Sequence, residues 1–144
     1  MKLYTIGIVK NNAQHFFEVL KREGVKSMLD IRLKNTSQLA GFAKKQDLPY
    51  FLREICGISY YHMPELAPTN DILIEYKRTQ RWNEYEMKFN ALMRERRIIE
   101  RLKNNFFERL CCLLCVEATP EHCHRRLVAE AIRQRWPETN IIHL

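Results

Sequence analysis

From Leu110 to Val116 every residue is apolar, and the run is closed by Arg109 on one side and Glu117 on the other. Such a run is too short to cross a bilayer. It is also too uninterrupted for a strand with one wet face, which would alternate apolar and polar residues. A short, wholly apolar strand is covered on both faces, and that occurs mainly where helices pack on both sides of a parallel sheet.

The rest of the chain supplies the other layers. Leu3 to Gly7 reads as a strand, and Asn11 or Asn12 can cap a helix carrying Phe16, Val19 and Leu20 at helical spacing until Gly24 ends it. Ser27 to Ile31 is a second strand, followed by a polar stretch from Lys34 to Ser37. Asp47 opens a helix with Pro49 in its first turn, Gly57 stops it, and Ile58 to His62 is a third strand. Residues 69–108 read as helical, with Trp82, Tyr85, Phe89, Leu92, Ile99, Leu102 and Phe106 as an apolar stripe broken at Arg96. Thr119 and Pro120 are expected to open a last helix buried through Leu127, Val128, Ala131 and Ile132, and Asn140 to His143 forms a fifth strand. The expected fold is α/β: a mostly parallel sheet of about five strands flanked by helices, with a helical insertion at about 69–108.

A length of 144 residues suits one domain spanning 1–144. The apolar N-terminal run stops at Lys10 with no small-residue cleavage site, so it reads as a strand and not an export signal. Five cysteines, three of them crowded at Cys111, Cys112 and Cys115, make a disulfide framework a poor fit. Reduced thiols in a cytoplasmic protein, with no membrane association, are expected. The net charge of +7 is concentrated in residues 77–109, whose ten basic residues face five acids. That segment is either a solvated helix face or a nucleic-acid-binding surface.

Ligands of open parallel sheets bind beyond the carboxyl ends of the strands. Gly7, Asp30 with Arg32, His62 with Glu65, and Cys115 with Glu117 all fall at such ends. The densest chemistry lies between Cys115 and Arg126. Alternation along a strand puts Cys115 and Glu117 on one face. Cys123 and His124 are expected in the first helical turns, where the helix dipole favours an anion or a thiolate. Cys112-x-x-Cys115 followed by Cys123 and His124 has the look of zinc-ligand spacing. An odd separation on a strand, however, sends Cys112 and Cys115 to opposite faces, so no metal is expected. Two readings stay open. One is structural: buried cysteines, a capping acid and a core histidine. The other is a site with Cys123 or Cys115 as thiolate, Glu117 or His124 as proton carrier and Arg125 as anion clamp. Asp30 and Arg32 either pair with each other or meet a ligand, and His62 either bonds a backbone group or does.

The stretch from Cys115 to Leu127 resembles the signature of domain-of-unknown-function family 488. The likeness extends to Thr5-Ile6-Gly7, to Leu29-Asp30-Ile31-Arg32 and to His62-Met63-Pro64-Glu65-Leu66. Ile8-Val9 and Ala67 depart from the family's usual pattern. The resemblance implies the α/β fold and weight on these positions, and it supplies no activity. The expected function is a small or degenerate enzyme whose strand-end pocket binds an anionic ligand, a nucleotide or nucleic-acid phosphate. In it Gly7 would allow close approach, Arg32 and Arg125 would neutralise charge, Glu117 and His124 would move protons, and Cys123 would be nucleophilic. No glycine-rich phosphate loop is present, so no cofactor is expected. The alternative is a non-catalytic nucleic-acid- or protein-binding module using the basic 77–109 helices.

Overall fold

The computed structural model describes residues 1–9, 11–36, 38–103 and 105–144. Five parallel strands form one sheet: β1 (Lys2–Gly7), β2 (Ser27–Asp30), β3 (Ser59–His62), β4 (Cys111–Cys115) and β5 (Asn140–His143), in the order β3-β2-β4-β1-β5. All five residues of β4 are buried, as its uninterrupted apolar run requires. Leu3, Leu29, Cys111 and Leu113 face one layer of helices, and Tyr4, Ile6, Met28, Cys112 and Leu114 face the other. Cys112 and Cys115, three residues apart, therefore point to opposite faces.

The second layer is α1 (Ala13–Arg22) and α2 (Leu48–Phe51), the latter continuing as a π-turn over Leu52–Cys56. Asn12 caps α1 by accepting from the His15 amide at 2.8 Å. Asp47 precedes α2 without a side-chain cap bond. The first layer contains α3 (Asn70–Thr79), α4 (Trp82–Arg96), α5 (Ile98–Arg101), α6 (Asn105–Glu108) and α7 (His124–Arg135). The helical stretch expected over 69–108 is thus four helices. Gln80 and Arg97 take left-handed backbones with φ of 56° and 52°, which end α3 and α4. The stripe breaks at Arg97, one residue beyond Arg96. Arg96 itself donates to the carbonyls of Glu65 and Ala67, both at 2.7 Å, and ties the loop after β3 to α4. Tyr85, Phe89 and Leu102 of the stripe are buried, whereas Trp82, Leu92 and Ile99 are only partly so. The side chain of Phe106 lies outside the described residues, as do Lys10 and Ser37.

The start of α7 corrects the sequence reading. Thr119 and Pro120 open a turn, in which the Cys123 amide donates to the Pro120 carbonyl at 3.2 Å, and not the helix. Cys123 is extended (φ −136°, ψ 138°), so helical geometry begins only at His124. Starting there directs His124, Arg125, Leu127, Val128 and Ile132 inward.

The strand order also sets where a crevice forms. The chain leaves β1 through α1 toward β2 and β3, while it leaves β4 through α7 toward β5, on the opposite face. The connections diverge between the neighbours β2, whose chain runs on to β3, and β4, whose chain runs on to β5, with Asp30 opposite Leu114 at their ends. Such divergence opens space above the carboxyl ends of the strands.

Candidate functional site

Next to this switch point, where Gly7 of β1 pairs with Cys115 of β4, Arg125 is fully buried. Its Nη1 donates to the Glu117 carbonyl and reaches Cys123 Sγ at 3.9 Å, and its Nη2 donates to the Ala118 carbonyl at 3.3 Å. Among the described residues its Nε has no partner and no carboxylate pairs with it. Gly7 makes this packing feasible. A methyl group there would overlap the Glu117 carbonyl and lie 2.6 Å from Arg125 Nη1. The close approach at Gly7 is therefore to the chain's own Glu117 and Arg125.

Cys115, Cys123 and His124 come together on the α7 side of β4. Their donor atoms lie within 4.8 Å of one another, and all three residues are buried. The His124 ring is fixed from three directions. Nε2 sits 2.7 Å from the Ile31 carbonyl, Nδ1 sits 3.4 Å from Cys115 Sγ, and Phe89 meets the ring edge-on at 5.7 Å. A carbonyl only accepts, so Nε2 carries a proton toward Ile31 and Nδ1 is the ring nitrogen that faces the sulfur.

The thiols differ sharply. Burial pushes Cys115 up. A hydrogen bond from the Cys123 thiol, the amides of Val116 and Glu117 and the Arg125 charge outweigh it and hold Cys115 below the ordinary thiol value. Cys123 is pushed up by that same bond to Cys115 and by its own burial. Burial raises Cys111 to about 12 and Cys112 well above its ordinary value. The sequence reading left Cys123 or Cys115 as the thiolate and made Cys123 the nucleophile. In the pair Cys123 is the donor and Cys115 the acceptor, so the charged form is favoured at Cys115.

The three side chains line a cleft of about 200 Å³. Leu73, Tyr76 and Tyr85 form an apolar wall, with Arg32, Leu33, Lys34, Val116, Glu117 and His122 completing it. His122 stacks on Trp82 at 5.0 Å and Trp82 on Tyr85 at 4.9 Å, which fastens the 119–123 turn to α4. Glu117 and Lys34 are exposed, and they are the charged side chains at the rim.

The other expected site residues are placed differently. Asp30 and Arg32 bond each other through Nε at 2.8 Å and Nη2 at 2.7 Å, both side chains almost wholly buried. Tyr60 Oη donates to Asp30 at 2.5 Å, Asn35 adds a bond at 3.3 Å, and Arg32 Nη2 also reaches the Ala43 carbonyl. Burial works against the Asp30 carboxylate, but the bonds and charge of Arg32 and the Tyr60 hydroxyl hold it below its ordinary value of 3.8. Arg32 thus touches the cleft wall with its guanidinium already engaged. His62 Nε2 bonds the Arg32 carbonyl at 2.9 Å. Glu65 lies in a separate cleft with Glu95, Arg96 and Arg101. The cleft therefore gathers Arg32, Cys115, Glu117, Cys123 and His124, and leaves Gly7, Asp30, His62, Glu65 and Arg125 as supports or elsewhere. Sequence reasoning missed Lys34, Tyr76, Tyr85 and His122 as cleft residues. Tyr76 and Leu73, three apart on one helix, carried a periodic signal, whereas nothing local marks Lys34.

The family model described as domain of unknown function DUF488 matches residues 12–132. The chain belongs to this family. The match covers β2, β3, β4 and most of α7, hence every residue of the cleft. No curated protein and no solved structure matches this DUF488 chain. Among its described residues no helix is long and apolar enough to cross a membrane.

Proposed function

We propose that this DUF488 protein is a small enzyme whose reaction centre is the floor of the strand-end cleft, acting on a small anionic ligand or the anionic end of a larger one, such as a nucleotide or a nucleic-acid phosphate. The observation that carries the reading is the convergence of Cys115, Cys123 and His124 within 4.8 Å at the base of a cleft with Glu117 at its rim. Two thiols, an imidazole and a buried guanidinium are costly to bring out of water together, and such clusters concentrate at functional sites. Cys115 is the reactive cysteine of this set, and Glu117, free in solvent, is the proton carrier. Lys34 replaces Arg32 and Arg125 as the cation available to an anionic group. A volume of about 200 Å³ is below that of most drug-sized pockets, which favours a small ligand or one terminal group. Free thiols on all five cysteines support a cytoplasmic location.

A thermal-shift screen of nucleotides and simple phosphates against the full chain tests the proposal. Stabilisation that weakens in Lys34→Ala and Glu117→Gln is expected. No stabilisation by any of them, or stabilisation indifferent to both substitutions, contradicts it.

A second reading attaches to the basic helices. Arg94, Arg97 and Arg135 border a groove of about 550 Å³ between α4, α5 and α7, which supports a nucleic-acid contact. Tyr85 and Phe89 are buried, so base stacking on them is not part of it. Binding that falls steeply with salt and disappears when Arg94, Arg97 and Arg101 are neutralised would favour this second reading.

A further inference from the structure

We infer that Cys115, Cys123 and His124 are the protein ligands of a thiophilic divalent cation, zinc being the best fit. The inference rests on the reading of the cleft as a reaction centre and names what that centre holds; Cys115 is then a ligand in the metal-bound protein and a reactive thiol only in the metal-free one. The zinc-like spacing in the sequence drew attention to Cys112, which faces the other side of the sheet. The folded chain assembles a different donor set, in which the two thiols come from the end of β4 and from the residue just before α7.

Three geometric features support it. First, the Sγ of Cys115 and the Nδ1 of His124 are 3.4 Å apart. Donors bound to one tetrahedral zinc at about 2.3 Å for sulfur and about 2.0 Å for nitrogen lie roughly 3.5 Å from each other. The whole set, within 4.8 Å, needs only a small contraction around an ion. Second, the outer contacts are those that metal-bound side chains use. His124 gives its Nε2 proton to the Ile31 carbonyl, which fixes Nδ1 as the ligand atom, and Arg125 reaches Cys123 Sγ at 3.9 Å. Third, the donors line the cleft, so three protein ligands leave one position open to it, the arrangement of catalytic and not structural zinc.

Charge extends the argument to the ligand. A divalent cation with two thiolates and a neutral imidazole is uncharged. Buried Arg125, paired with no carboxylate among the described residues, then leaves one positive charge beside it. An anion in the fourth position offsets that charge, whether hydroxide or an oxygen of an anionic substrate. Glu117 at the rim is placed to exchange protons with a water there. Two thiolates and one imidazole select zinc over magnesium or calcium, which take oxygen ligands.

Elemental analysis of the full chain purified from zinc-supplemented culture is the test, paired with cobalt titration of the chelator-stripped protein. One zinc per chain is expected, together with the thiolate-to-cobalt absorption and strong visible bands of tetrahedral coordination. Cys115→Ser and Cys123→Ser should each weaken zinc binding by more than about tenfold, while Cys112→Ala and Cys56→Ser retain it. The cobalt spectrum of the parent protein does not depend on whether any variant folds. Trace zinc with no cobalt spectrum, or zinc retained in Cys115→Ser and Cys123→Ser, overturns the metal assignment. The cleft reading is judged separately, by whether nucleotides or phosphates stabilise the protein through Lys34 and Glu117.

Discussion

Replacing Gly7 by alanine probes the packing that supports the site. The added methyl would overlap the Glu117 carbonyl, a backbone group, and come within 2.6 Å of Nη1 of Arg125, whose side chain is fully buried. Forcing one extra carbon into a close-packed interior costs about 1–3 kcal/mol. Moving the Glu117 carbonyl away from Arg125 adds the loss of a hydrogen bond to a charged donor, about 1.5–3 kcal/mol. The sum is roughly 2.5–6 kcal/mol, a large part of the stability of a domain this size. At about 3–4 °C per kcal/mol the midpoint of thermal unfolding should fall by at least about 7 °C. Circular dichroism melts and urea titrations measure this directly. Gly57→Ala is the control, since its φ is 65° and nothing lies within 4 Å of an added methyl there. It should cost only the backbone strain of about 1–2 kcal/mol. A Gly7→Ala protein within 1 kcal/mol of the parent, by the scale of ordinary surface substitutions, would refute the packing of Arg125 against β1.

Asp30→Asn leaves Arg32 buried without its carboxylate, and should cost about 3–5 kcal/mol in urea unfolding. Because the folded-state pKa of Asp30 lies below its ordinary 3.8, its contribution is fully present above that value and is lost as pH falls through the lowered one. The parent should therefore lose stability in that acid window more steeply than Asp30→Asn, as pH-dependent urea midpoints would reveal. Phe89→Ala, removing a fully buried ring that also braces His124, should cost about 3–5 kcal/mol and weaken cobalt binding at the same time. After chelator treatment, iodoacetamide should label Cys115 through the cleft ahead of Cys123, while Cys111 and Cys112 stay protected until unfolding; mass-spectrometric mapping that finds all four equally protected would count against access from the cleft.

The fold was legible because its signals are local and repeated. The apolar run of β4, the Asn12 cap and the turn glycines Gly24 and Gly57 each act within a few residues of themselves, and the two apolar faces follow from strand alternation. The site was legible as a segment but not as an arrangement. The extended backbone at Cys123 depends on how α7 docks, and that single residue decides whether its thiol opens a helix or turns toward Cys115. The engagement of Arg32 by Asp30 follows from a two-residue spacing, yet the Tyr60 and Asn35 bonds that complete it come from other segments. Arg125 reads in the sequence as an anion clamp. Only the space left by Gly7, across more than a hundred residues of chain, shows why it is fully buried. Long-range pairings of this kind leave no periodic trace in a single sequence.

The most direct test of the central claim is amide-resolved NMR of the full chain titrated with nucleoside monophosphates and inorganic phosphate. Shifts concentrated at Lys34, Val116, Glu117, Cys123 and His124 are predicted, with the amides of 94–101 unmoved. Saturable shifts confined to α4 and α5, with the cleft silent, would contradict it.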